Sequence, residues 1–339
     1  MKVSRMLSHA GKIGVALVLA WYVWKTVIAN WRQVSAYDWN FDPVLMTLSV
    51  LMFAGCYVYL AWVWGRVLHS VGCEVSFRAA WDIYFIGNLG RYVPGKIWSI
   101  AGTAVMAERR GICPVTAGTA SVFAQAYSIT SSFVFFCVFL ILRQFELSGV
   151  RFEWIAFGLV AFAIVFMVPS NMERAVNLIL SLLGRETVSL GLTAGKAARI
   201  VWWYFLSWLM FGAAFWLFVA AVTGNRTFNP FFLAGAYAVA YVLGFFAFFV
   251  PGGLGVREGL LSVLLKTVMP QGVSLLIAFL LRLLVTIIEI VCVLIIILPR
   301  VRPHTLGPLL ILPRVFSHTR GPLLKRKGIP NGKKETSGG

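Results

Sequence analysis

Ten residues late in the chain constrain its fold more than any others: Val250-Pro251-Gly252-Gly253-Leu254-Gly255-Val256-Arg257-Glu258-Gly259, set inside an otherwise apolar stretch. Pro251 lacks an N–H, and Gly252, Gly253 and Gly255 loosen the backbone, so an ordinary spanning helix cannot run through them. The freed peptide groups must meet protein, water or a polar ligand, because lipid tails offer them no partner. Broken backbone at membrane depth is where transporters build binding sites.

The break has an echo. Tyr84-x2-Gly87-x5-Val93-Pro94-Gly95 and Tyr241-x2-Gly244-x5-Val250-Pro251-Gly252 share five positions at one offset, the 157 residues from Pro94 to Pro251. The spacing reads as an internal repeat.

With 60% hydrophobic and 12% charged residues and a mean hydropathy of +0.84, the 339 residues form a polytopic membrane protein and not a soluble domain. The net charge of +18 does not argue for nucleic acid. Its basic residues lie mostly in short loops and a tail, where membrane orientation and anionic headgroups account for them. Cys56, Cys73, Cys113, Cys137 and Cys292 hold no C-x-x-C pair, and His9, His69, His304 and His318 do not cluster. No metal, cofactor or disulfide framework is therefore expected. The first apolar run follows Lys2, Arg5 and Lys12 but continues through Trp21, Tyr22 and Trp24 without a small-residue cleavage site, and reads as a retained helix.

Runs long enough to cross the hydrocarbon layer lie at about Ile13–Ala29, Val44–Leu68, Val115–Leu142, Trp154–Pro169, Ile200–Val222 and Val273–Leu298. Between them, about Phe77–Met106 and Phe231–Leu265 are interrupted by the Pro-Gly motifs and read as re-entrant helical hairpins. Two short full crossings in each region would keep the same parity. The expected fold is thus all-α: about six crossings plus two hairpins, in halves of about 12–143 and 154–298. Basic residues at the N-terminus, at Arg66 and Arg78, at Arg109-Arg110 and from Arg174 to Arg199 place those loops, and both termini, in the cytoplasm. Three crossings then separate equivalent elements, so the halves are inverted. Met172–Leu183 has the apolar spacing of an interfacial helix, although a plain connector also fits. Residues 1–299 form the membrane domain. Beyond it, 300–339 repeat a Pro-Arg-Val-x-x-His-Thr-x-Gly-Pro-Leu-Leu unit, carry Lys325-Arg326-Lys327, and read as a disordered basic tail near an anionic leaflet.

Ionisable groups at membrane depth are costly and so are candidates for function. Arg91 and Lys96 flank Pro94-Gly95, while Arg257 and Glu258 follow Pro251. With the helix N-termini after the breaks, these cations could receive a lipid phosphate. Alternatively, Arg91 and Lys96 snorkel to the surface and Arg257 pairs with Glu258. Arg282, Thr286 and Glu289 share a helical face, and the 157-residue offset maps Arg282 and Glu289 back onto Gln125 and Ser132, both polar. That face is either a polar stripe lining a cavity or an Arg–Glu clamp. Asn88 and Tyr92 could bond a headgroup. No nucleophile stands beside a base, and no Walker or Rossmann glycine pattern occurs. An enzyme would depend on Glu108, Glu258 or Glu289 without a histidine, so enzymatic activity is not expected.

Gly87-Asn88-Leu89-Gly90-Arg91-Tyr92-Val93-Pro94-Gly95-Lys96 and Val250-Pro251-Gly252-Gly253-Leu254-Gly255-Val256-Arg257-Glu258 resemble the two hallmark segments of the lysylphosphatidylglycerol synthase transmembrane-region family. The resemblance covers roughly Lys12 to Leu298 and implies a flippase. Its cargo would be an aminoacylated phospholipid or a polyprenyl-linked sugar, in the inner membrane of a bacterial or archaeal cell. By resemblance, Arg91, Pro94, Lys96, Pro251, Gly252, Gly253, Arg257 and Glu258 would surround the headgroup; the reading of the residues themselves adds Asn88, Tyr92, Gly255, Arg282 and Glu289 to the candidate site. The residues beyond the last helix leave no room for a domain able to use aminoacyl-tRNA, so a stand-alone member without lysyltransferase activity is expected. The alternative is a membrane scaffold that presents lipid to a separate glycosyltransferase or synthase. Membrane lipids are the expected partners, nucleic acid is not, and homo-oligomerisation stays open.

Overall fold

The computed structural model describes residues 25, 28–92, 97–143, 158, 161, 165, 168–182, 191–247 and 251–298. Most of the first apolar run, most of Trp154–Pro169, the pair Pro94 and Lys96, and the basic tail therefore lie outside the described residues. Every described element is helical: α1 (Trp31–Ser35), α2 (Pro43–Ser70), α3 (Phe77–Asn88), a 3-10 turn (Leu89–Tyr92), α4 (Ile97–Glu108), α5 (Pro114–Arg143), α6 (Pro169–Leu182), α7 (Ala194–Thr223), α8 (Pro230–Phe246), a second 3-10 turn (Pro251–Gly253), α9 (Val256–Leu265) and α10 (Gln271–Ile297). The helices up to Leu294 form one unit.

Length separates the spanning helices from the broken ones. α2, α7 and α10, with 28, 30 and 27 residues, are apolar enough to cross a membrane. At 1.5 Å per residue they reach roughly 40–45 Å, beyond the ~30 Å hydrocarbon layer. α3 and α4 have 12 residues each, about 18 Å, and neither can cross alone. The starts follow from local chemistry. Asp42 accepts from Val44 N and Leu45 N ahead of Pro43, and Asn229 accepts from Phe231 N and Phe232 N ahead of Pro230. Proline costs nothing at the first helical position, where its missing N–H would be unpaired anyway.

Each interrupted region folds back on itself. A methyl added at Gly87 would sit 2.5 Å from Thr103 Oγ1, and one at Gly102 would sit 2.8 Å from Gly87 O. Gly90, further along, meets Trp98, so α3 and α4 run antiparallel and in near backbone contact. Asp82 pairs with Arg110 at the open end of this hairpin. α8 and α9 repeat the arrangement, with Gly244 against Arg257 and, at 2.7 Å, a methyl on Gly253 against Gly244 O.

The 157-residue repeat extends to whole elements. It carries the start of α5, Pro114, onto the start of α10, Gln271, and superposes the ranges of α2 on α7, α3 on α8 and α4 on α9 to within a few residues. Of the expected Met172–Leu183, Leu183 lies outside the described residues and residues 172–182 fall in α6, which starts three residues earlier at Pro169. Its Met172 and Val176 join a core with Trp64, Phe123, Tyr127 and Ile200 from α2, α5 and α7.

Candidate functional site

The two breaks meet. The 3-10 turn at Gly252 packs on Tyr92, where a methyl would lie 3.7 Å from the ring, and Arg282 Nη2 donates to Gly252 O at 3.5 Å. Beside this junction lies a cavity of about 170 Å³ bounded by α2, α3, both breaks, α4, α5, α7, α8, α9 and α10. Repeat-related residues line it together: Tyr84 with Tyr241, Asn88 with Phe245, and Gln125 with Arg282. On α5, Ser121, Gln125 and Ser128 follow the four-then-three spacing of one helix face and all reach the wall.

The charges are sorted by sign. Arg91, Arg257 and Arg282 line the cavity, and no carboxylate does among the described residues. Glu289 stands behind: Tyr57 and Tyr92 donate their hydroxyls to its two oxygens at 2.5 Å each, and Arg91 Nη1 donates at 3.1 Å. Glu258 stands behind the other break. Its Oε2 accepts from Gly255 N at 2.6 Å at the start of α9, and its Oε1 lies 3.3 Å from Arg282 Nε. The geometry of that approach is ionic and not hydrogen-bonded, since neither atom finds a hydrogen-bond partner. Arg257 forms no ion pair among the described residues. Its guanidinium lies 4.8 and 4.7 Å from the ring centres of Tyr237 and Tyr241, a cation–π arrangement that stabilises a desolvated charge by roughly 2 kcal/mol.

Two pairings open in the sequence are thereby decided. Arg257 does not pair with Glu258, and Arg282 does not clamp Glu289; Glu258 takes Arg282, and Glu289 takes Arg91. Of the candidate residues, Asn88, Arg91, Gly252, Arg257 and Arg282 line the cavity, whereas Tyr92, Glu258 and Glu289 hold the liners. Gly252, Gly253 and Gly255 take φ of 60°, 69° and 80°, the left-handed turn that brings the backbone back. Pro251 opens the 3-10 turn. Pro94 and Lys96 lie outside the described residues. Thr286 spends its hydroxyl on Arg282 O, and Ser132 on Ile129 O. Sequence reasoning missed Tyr57, Tyr204, Thr103 and Ser128; Tyr84 and Tyr241 stood in the repeat motif, which was their signal. Among the described residues no cluster could hold a metal ion.

Long apolar helices, two short broken hairpins and a polar cavity where the breaks meet define a polytopic, all-helical membrane protein built on a repeat. The chain belongs to the family described as the lysylphosphatidylglycerol synthase TM region, which it matches over residues 10–295. No curated protein matches it.

Proposed function

We propose that the protein carries the head of an anionic lipid across the membrane, with no covalent chemistry of its own. The observation that carries this reading is the sorting of charge: three arginines face the cavity while both nearby carboxylates are turned behind them. Three cations against two carboxylates leave a net positive wall, and an unpaired guanidinium is suited to a phosphate. The head would bind between the breaks, and rocking of one half against the other would expose it to the opposite side. The setting would be an inner membrane with both termini in the cytoplasm, the partners being membrane lipids.

The test is reconstitution into liposomes carrying a fluorescent anionic phospholipid, with loss of signal to a membrane-impermeant quencher as the readout. The expected result is acceleration by the protein and none by folded Arg257→Ala protein. Equal acceleration by both would remove the role of Arg257. No acceleration for any anionic lipid would favour a scaffold that presents lipid to a separate enzyme.

A further inference from the structure

Resting on the lipid-carrying reading, we infer that the head this cavity accepts is a phosphate bearing uncharged hydroxyl groups and no ammonium group. Apart from Arg91, Arg257 and Arg282, the polar wall is neutral: Asn88, Thr103, Ser121, Gln125, Ser128 and Tyr241 supply amides and hydroxyls. An ammonium needs a carboxylate or a cluster of free acceptors, and it would enter here against a wall of net positive charge, three cations against two carboxylates already engaged. Among the described residues, the two carboxylates beside the cavity are engaged, Glu289 by Arg91 and two tyrosines, Glu258 by Arg282 and the start of α9. The undescribed segments next to the breaks, 93–96 and 248–250, contain no Asp or Glu by sequence.

The donors point the same way. Gln125 Nε2 is buried and without a hydrogen-bond partner, a costly state that an oxygen acceptor on the ligand relieves. The Arg257 guanidinium lies over Tyr237 and Tyr241 with no carboxylate partner among the described residues, and a guanidinium edge matches two phosphate oxygens. The cavity, about 170 Å³, is many times the ~10–15 Å³ that admits one water, which leaves space for a small polar head. Two lipid sources share this chemistry, a glycerol head on a diacyl phospholipid and a sugar on a phosphoprenol.

Liposomes would carry one acyl- or prenyl-labelled lipid each: phosphatidylglycerol, lysylphosphatidylglycerol, or a glucosyl phosphoprenol, with the heads unmodified. Phosphatidylglycerol or the glucosyl lipid should cross about ten-fold faster than the lysyl ester, because the net positive wall, with both nearby carboxylates engaged, acts against an ammonium alone. Whichever of the two crosses faster names the source. Lysylphosphatidylglycerol crossing as fast as phosphatidylglycerol overturns the inference and leaves the lipid-carrying reading intact. Failure of all three overturns the carrying reading, and the head preference is then read in detergent, from which lipid the purified protein retains in an equimolar mixture; retention of the lysyl ester overturns it. Gln125→Glu places a carboxylate on the wall at nearly constant shape. It should shift either readout toward the lysyl ester, and an unchanged preference in folded variant protein counts against the electrostatic cause.

Discussion

Arg91 Nη1 and Glu289 Oε1, 198 positions apart in sequence, stand 3.1 Å from each other and join the first break to the last helix. Tyr57 and Tyr92 reach the same carboxylate, so three donors from the first half converge on one acceptor from the second. The Glu289 side chain is only 9% exposed, and a charge so placed must be compensated locally. The pair therefore links the two halves beside the junction of the breaks.

Replacing Glu289 by Gln should lower stability by about 3–5 kcal/mol, the usual cost of leaving one partner of a buried pair uncompensated. Thermal unfolding in detergent measures it. With Arg91→Gln and the double variant the cycle should give a coupling of about 1–3 kcal/mol. Near-additive effects would mean that the two residues do not act as a link.

The elements were legible because apolar periodicity, prolines at helix starts and the 157-residue offset agree with one another: α2, α5 and α10 begin within two residues of the expected positions. The pairing was not legible, for geometric reasons. Arg257 and Glu258 are adjacent, and adjacent helical residues point about 100° apart. One consequently reaches the tyrosines of α8 and the other returns to Gly255. Arg282 and Glu289 share a face but lie two turns apart, about 10 Å along the axis. Tyr57 gave no signal, being one hydroxyl on an apolar helix, 232 residues from the carboxylate it serves.

Backbone contact inside the first hairpin depends on Gly87. A methyl there would meet Thr103 Oγ1 at 2.5 Å and Thr103 Cα at 2.7 Å, and backbone cannot yield as a side-chain tip can. Gly87→Ala should therefore cost about 1–3 kcal/mol of stability through overpacking. Gly118→Ala is the matched control: its methyl meets only side chains at 3.8 Å, and helix propensity should make it neutral or stabilising by up to about 1 kcal/mol. Thermal unfolding of both proteins checks the contrast, and equal losses would remove the packing explanation.

Asp42 caps α2 and also accepts from Arg226 Nη2 at 2.9 Å. Its carboxyl is held below the ordinary value of 3.8, first by the Leu45 N–H and also by Val44 and Arg226. A depressed carboxyl contributes stability that is present above the ordinary value and is lost as pH falls through the folded value. Unfolding temperatures of wild type and Asp42→Asn should thus differ at neutral pH and converge below about pH 3.8. A difference that persists there would place the effect in packing and not in charge.

Arg257→Lys separates charge from shape at the cavity. Lysine keeps the positive charge but presents a compact ammonium, without the flat surface that lies along Tyr237 and Tyr241 or the paired N–H edge. If charge alone attracts the lipid head, this variant should transport at nearly the wild-type rate. If the stacked guanidinium is what binds phosphate, the loss of about 1–2 kcal/mol should slow transport roughly ten-fold. We expect the second outcome, because no carboxylate pairs with Arg257 among the described residues and its guanidinium lies over the two tyrosine rings. Fluorescent-lipid transport by equal amounts of folded wild-type and variant protein decides between them.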